Sequence, residues 1–233
     1  MKNLLPCLAL VACLVVFACK SHKYYQSDAF AQATKNHRLI AVVPAEMIFT
    51  GTPPKKLTAE DISKIEEAES IAFQESLYNG ILRHANGRKY YTTVELQDIS
   101  TTRKILVDNN LPNRKAWGVS DKELVAMLNV DAVVRMRIQK KRYMGDLASY
   151  GIDLAKQIGW EYAGGKIPGT PFGIPNVKNN TNDIYATCSL LSDGRTLWND
   201  DYKRASDWNN PANEIIEGIT DNFGRHFPYK QRR

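Results

Sequence analysis

Cys19 is the residue in this chain whose neighbours most invite chemistry. It follows Val16, Phe17 and Ala18, the end of an apolar run from Leu4 to Ala18, and it precedes Lys20 and a polar stretch. A thiol at such an edge is either a small hydrophobe for a core or the point at which a chain is cut and modified. The other reactive residues are not arranged for catalysis. His22, His37, His84 and His226 stand at no metal-ligand spacing with one another or with a cysteine or carboxylate. There is no nucleophile elbow, no phosphate-cradling glycine loop after a strand and no paired-cysteine motif. Glu66, Glu67 and Glu69 read as a solvated helix face, Asp200 and Asp201 as a strand edge, and His84 and His226 as helix-end residues meeting the dipole. The expectation is a protein without metal, cofactor or active site.

The flanks of Cys19 bear on its role. A membrane-spanning helix needs about 20 apolar residues. The run behind Met1, Lys2 and Asn3 is 15 residues long and contains Pro6, the length of a signal-peptide core. Val16, Phe17, Ala18 and Cys19 resemble the lipobox of bacterial lipoproteins, in which the cysteine is lipidated and becomes the new N-terminus; a plain signal peptide cleaved elsewhere, or an uncleaved anchor, is the alternative. The lipobox implies a signal peptide over 1–18 and palmitate-type acylation of Cys19, and two or more acyl chains are what stable anchoring requires. Lys20 stands where, in the sorting rule of many lipoproteins, an aspartate favours the inner membrane, so the resemblance points to the outer membrane and its periplasmic face. Cys7 and Cys13 leave with the signal, and Cys188 then has no partner for a disulfide and reads as a buried small hydrophobe.

Residues 19–36 have little apolar content and no sustained period, and read as a flexible tether. Residues 37–233 are long enough for one α/β domain, and 43% hydrophobic with 24% charged residues is globular composition. The net charge of +6 and pI near 9 would suggest nucleic acid for a cytosolic protein. Export excludes that class and leaves anionic headgroups, an acidic partner or a solvated surface to meet the charge.

The elements follow from periodicity and punctuation. RLIAVVP, from Arg38 to Pro44, reads as a strand buried on both faces. A long helix opens at Thr58 with Asp61 three residues on, carries Ile62, Ile65, Ala68, Ala72, Leu77 and Ile81 at helical spacing and stops at Asn86-Gly87. KYYTTVEL, from Lys89 to Leu96, reads as a second strand, followed by a short helix from Thr101 to Asn109 and another opened by Ser120 and Glu123. Ala132, Val134, Met136 and Ile138 alternate with Val133, Arg135, Arg137 and Gln139, and Arg135, Arg137 and Lys141 share a basic face. That face either holds acidic headgroups or an acidic partner, or serves solubility and edge protection. Ser192, Asp193 and Gly194 turn a hairpin whose first strand points Ile184, Ala186, Cys188 and Leu190 inward. A last helix starts at Asn210-Pro211 and carries Ile215, Ile216, Ile219, Phe223 and Phe227. The expected architecture is a single mixed sheet of about five strands, packed with a long N-terminal helix, short middle helices and a C-terminal helix.

This order, with RLIAVVP, NGRKYYTTVELQDI and SDKELVAMLNVDAVVRMRI at its core, resembles the bacterial lipoprotein group that includes the curli-secretion pore lipoprotein, the penicillin-binding-protein activator lipoproteins and the N-terminal domain of TolB. The resemblance implies a scaffolding, secretion or regulatory component of the cell envelope. Residues 143–182 depart from the pattern, with seven of the 14 glycines and three of the ten prolines. Gly151 and Gly159 weaken an isolated helix there. Tyr150, Trp160, Tyr162 and Phe172 suit a partner interface, and the alternative is a long loop folded over the domain's own sheet. The insertion lacks the alternation of a barrel strand. The reading is therefore an accessory or assembly factor acting through protein contact by this insertion, with a homo-oligomeric ring or secretion pore of curli type as the second hypothesis and an envelope hydrolase as the third.

Overall fold

The run from Arg38 to Pro44 sits at the middle of the molecule. In chain order the elements are β1 (Tyr25–Gln26), α1 (Phe30–Ala33), β2 (Leu39–Val42), β3 (Glu46–Phe49), α2 (Ala59–Ala85), β4 (Tyr90–Thr92), β5 (Glu95–Leu96), α3 (Ile99–Asp108), α4 (Asn113–Ala116), α5 (Asp121–Leu128), β6 (Ala132–Lys140), β7 (Thr181–Ser192), β8 (Arg195–Ser206), α6 (Ala212–His226) and β9 (Lys230–Arg232). This computed structural model describes residues 24–51, 58–85, 89–140, 181–206 and 212–233. Cys19, the Asn86-Gly87 stop, Lys141, the four aromatic residues of the insertion and the Asn210-Pro211 helix start lie outside the described residues.

The architecture is mixed α/β. A seven-stranded sheet runs β1-β8-β7-β6-β2-β5, with β3 also on β6, and β4 pairs with β9 in a separate two-stranded ribbon. β2 is parallel to both its neighbours, with Ile40 opposite Ala132 on one side and Leu96 on the other. Helices cover both faces, which is why its residues are continuously apolar. Ile40, Val42, Val134, Met136 and Ile138 join a core with Phe73, Leu77, Ile81, Ile219 and Phe223 of α2 and α6. Ala41, Val43 and Val133 join a second core with Leu106, Ala116, Leu124 and Leu128 of α3, α4 and α5. The first turn of β6 is therefore buried on both sides, and the expected alternation begins only at Arg135.

Pro44 interrupts the first strand, and the chain resumes along the same edge of β6 as β3, with Glu46 opposite Arg137. Two fully buried polar residues of α2 hold the break. Gln74 donates Nε2–H to the Val42 carbonyl at 2.7 Å, and Ser70 donates Oγ–H to the Ala45 carbonyl at 2.7 Å. Each satisfies a strand carbonyl whose burial would otherwise be costly. At the other end of β2, the Asp131 carboxylate accepts from the backbone N–H of Arg38 at 2.7 Å and of Leu39 at 2.9 Å, setting the register of β2 against β6.

Local signals behave as their chemistry predicts. Thr58 and Asp61 exchange backbone and side-chain hydrogen bonds across the start of α2. Ser120 and Glu123 form a complete capping box, and Asn129 closes α5 at φ 52°. Asp193 at φ 50° and Gly194 at φ 74° make the tight turn between β7 and β8. Cys188 is fully buried. Burial, and then the charge of Asp200, push its thiol pKa well up.

Other expectations are corrected. KYYTTVEL is two short strands, because Tyr90–Thr92 pairs with the C-terminal β9 while Glu95–Leu96 joins β2. The main sheet gains β3 and β1, and α4 stands where no helix was expected. Residues 24–36 of the expected tether pack on the domain: β1 pairs with Trp198 and Asn199 of β8, and the buried Phe30 ring lies 5.6 Å from that of Tyr229.

The two long helices cross at a pair of glycines. A Cβ on Gly224 would lie 2.7 Å from the Gly80 carbonyl carbon and 2.8 Å from its oxygen, backbone that cannot swing aside. Beside this contact, Asp221 of α6 accepts from Arg83 at 2.8 Å, from His84 Nε2 at 2.6 Å and from Arg225 at 2.8 Å. His84 thus joins two helices rather than only meeting the dipole of its own. Burial pushes the Asp221 carboxyl up, but the bonds and charges of His84 and Arg225 outweigh it, so its pKa is below the ordinary value of 3.8.

Two outcomes are expected. Gly224→Ala lowers stability by about 1–3 kcal/mol in urea denaturation through overpacking, whereas Gly118→Ala, whose Cβ would meet only the Lys115 carbonyl at 3.8 Å, is near neutral. The depressed Asp221 pKa contributes stability that is present above 3.8 and lost as pH falls through the lower folded value. Wild type and Asp221→Asn should therefore differ most in urea midpoint near neutral pH and converge as pH falls through the depressed folded value; a gap independent of pH would sink this assignment.

Candidate functional site

The basic face expected on β6 is built into the fold. Arg135 turns its guanidinium onto the end of α4, where Nη2 donates to the carbonyls of Ala116 at 2.9 Å and Val119 at 2.7 Å. Burial pulls its pKa below the ordinary arginine value. It adds a second donor to the Ala116 carbonyl, which also accepts from the Val119 N–H at 3.3 Å, and so ties β6 to the chain that leaves α4. Arg137 reaches sideways to Glu46 at 2.7 Å and remains exposed. Lys141 lies outside the described residues, and Lys140 points to the opposite face, where it pairs with Glu69.

The carboxylates read as a solvated helix face are mostly not solvated. Glu69 and Glu66 are 3% and 7% exposed, tucked between α2 and the end of β3. Glu66 pairs with Arg114 at 2.9 Å, and Glu67 accepts from Asn113 at 3.3 Å. Glu60, by contrast, is an exposed partner of Lys64 at 2.7 Å. Asp200, read as a strand edge, is fully buried beneath α6, with His226 Nδ1 at 3.2 Å. On the far side of the core, His37 Nδ1 lies 2.5 Å from the Tyr229 hydroxyl, and burial lowers the His37 pKa against the opposing charges of Asp131 and Asp193. These groups hold elements together in pairs, and no three of His, Cys, Asp or Glu converge to a metal-holding group among the described residues.

A groove of about 230 Å³ runs between α2 and α6, lined by Ala72, Ser76, Asn79, Arg83, Asn213 and Ile216. Across it Ser76 and Thr220 share a hydrogen bond of 2.6 Å. Glu75 and Glu217 also line it; the Ser76 hydroxyl is engaged with Thr220, and Glu75 pairs with Arg103 at 2.9 Å.

The exposed aromatic residues lie elsewhere. Tyr24, Tyr25, Tyr90 and Tyr91 are, with Val107, the exposed large hydrophobics among the described residues. Tyr90 and Tyr91 stand on the ribbon, opposite Arg232 and Gln231 of β9. Lys230 lies over the Tyr90 ring at 5.0 Å, and Tyr24 stacks on His226 with centroids 6.0 Å apart. Sequence reasoning missed this surface, although RKYY and YKQRR share one composition, basic residues beside tyrosines. Their pairing is fixed only once the C-terminal β9 meets the internal strand β4. The residues that sequence reasoning favoured for partner contact, Tyr150, Trp160, Tyr162 and Phe172, fall in the 40 residues 141–180 that connect β6 to β7, outside the described residues. No helix among the described residues is long and apolar enough to cross a membrane.

No family model matches the chain, and no curated protein matches it. Solved structures that resemble it include the lipoprotein GNA1162 from Neisseria meningitidis, at 12% identity and TM-score 0.37, covering 81% of this chain and 96% of that one. The C-terminal domain of LpoB from Salmonella enterica follows at 10% identity and TM-score 0.37, covering 76% and 93%. A PelC dodecamer from Paraburkholderia phytofirmans resembles it at 12% identity and TM-score 0.36, covering 87% and 93%.

Proposed function

We propose that this chain is a lipid-anchored accessory or assembly protein of the cell envelope, held at the periplasmic face of the outer membrane through Cys19 and acting by protein contact rather than catalysis. The observation that carries the reading is the connection between β6 and β7. These strands are antiparallel neighbours, paired from Val133 with Leu191 to Lys140 with Ile184, and a hairpin of that kind closes with two to five residues. Here residues 141–180, glycine-rich and aromatic in sequence, stand between Lys140 and Thr181. Loops of that length are uncommon without a function. The VFAC sequence supports the anchor, and the pairing of the buried charges with one another leaves them to structure rather than chemistry.

A homo-oligomer is favoured by one specific feature. β1 covers β8 only at Trp198 and Asn199, so the outer backbone edge over 201–206 has no strand partner among the described residues. An uncovered edge of that length is a place for a second copy to pair.

Deleting residues 145–178 should leave a folded, anchored domain that no longer recovers its partner after crosslinking in intact cells; undiminished recovery excludes the insertion as the contact. Cys19→Ser should abolish palmitate incorporation and leave only such membrane association as high salt removes. Light scattering of the detergent-solubilised protein should give a multiple of the monomer mass if the β8 edge pairs, and a strict monomer at micromolar concentration rules that reading out.

A further inference from the structure

The chain enters the described domain at Tyr24, beside an aromatic and basic surface. Tyr24 stacks on His226, the next residue toward the helix is Arg225, and the Arg225 carbonyl accepts from Lys230 Nζ. Lys230 covers the Tyr90 ring, Arg232 stands opposite Tyr90, and the Arg233 N–H donates to the Lys89 carbonyl at 3.0 Å, closing the ribbon. The strip is continuous from Tyr24 to Arg232. The carboxylates nearest it are already engaged: Asp221 by Arg83, His84 and Arg225, and Asp200 by His226 beneath the surface. Lys89, Lys230 and Arg232 meet no carboxylate among the described residues, so the strip carries unneutralised positive charge flanked by tyrosines.

We infer that this strip is a docking surface for an anionic lipid bilayer, on which the domain lies instead of hanging free from its anchor. Two observations select lipid over an acidic protein. Exposed tyrosines interleaved with lysine and arginine are the composition of a membrane interface, where the ring sits at headgroup depth and the cation meets phosphate. The chain length before Tyr24 is the other. Five residue steps separate it from Cys19, which extended span at most about 18 Å, so a lipid at Cys19, on the anchoring reading proposed above, keeps the strip close to headgroups. Lys20 and Lys23 lie within that span and add charge of the same sign.

The test uses the chain from residue 19 onward carrying Cys19→Ser, so that no acyl chain contributes, and co-sedimentation with vesicles of phosphatidylcholine alone or with phosphatidylglycerol added. Binding to the anionic vesicles alone is expected, weakening at least tenfold when salt is raised from about 0.1 M to 1 M and the screening length contracts from about 10 to 3 Å. Lys230→Glu with Arg232→Glu should reduce binding at least tenfold, Tyr90→Ser with Tyr91→Ser should reduce it as well, and Lys104→Glu with Lys122→Glu, an equal charge change at exposed sites elsewhere, should leave it unchanged. Should either ribbon variant fold poorly, the salt dependence of the unaltered ribbon still decides. Equal binding to neutral vesicles, no binding to either, or equal loss in both charge-reversed pairs overturns the inference. Absent vesicle binding together with loss of a crosslinked protein in Lys230→Glu also overturns it, and assigns the strip to an acidic protein. Palmitate labelling of the wild-type chain reports separately on Cys19: its failure would remove the anchor and leave the vesicle result standing.

Discussion

The near-contact of Gly80 with Gly224 is the constraint on which the rest of the molecule depends. Two long helices approach until backbone meets backbone, and no side chain larger than hydrogen fits at the crossing. Because α6 is drawn in that far, Ile219 and Phe223 reach the core under β6 and β7, His226 reaches Asp200, and the chain emerging from α6 meets β4 as β9. The two termini of the described chain, Tyr24 and the β9 strand, become neighbours as a result. A wider crossing would separate them and dissolve the ribbon surface.

Charge is used in this fold mainly as internal fastening. Glu69 with Lys140, Glu66 with Arg114 and Asp200 with His226 each join elements distant in sequence, and each burial is tolerable only because a partner is present. Asp131 does the same with neutral donors. Burial pushes its carboxyl up, yet the backbone N–H groups of Leu39 and Arg38 outweigh that and leave it below its ordinary value. Positive charge also remains outward, on Lys104, Lys122 and Arg137 as well as on the ribbon.

Much of the fold was legible because its signals are local. The apolar run at Leu39–Val42, the Thr58 and Ser120 caps, the Asp193-Gly194 turn and the spacing of Ile215, Ile219 and Phe223 each depend on residues within a few positions of one another. What escaped was decided by partners far away. KYYTTVEL is one β-prone run in sequence, and it divides only because the C-terminal strand claims its first half. Glu66 and Glu69 carry the helical spacing of a wet face, and nothing local announces that Arg114 and Lys140 will neutralise them. The candidate contact residues follow the same division. Cys19 and the insertion were conspicuous as composition, whereas the ribbon strip required two chain segments about 140 residues apart to meet.

The long connection between β6 and β7 has a further consequence, for tolerance to change. Closing a flexible loop grows costlier only with the logarithm of its length, so going from a two-residue turn to 40 residues adds about 2 to 3 kcal/mol, and doubling it again adds about 0.6 kcal/mol more. The β7–β8 hairpin, closed by its own tight turn, supplies the adjacent strand whatever lies between Lys140 and Thr181. Insertions or deletions between Lys140 and Thr181 should therefore leave the pairing of β6 with β7 in place, so the sheet tolerates a change of length there better than at the tight β7–β8 turn.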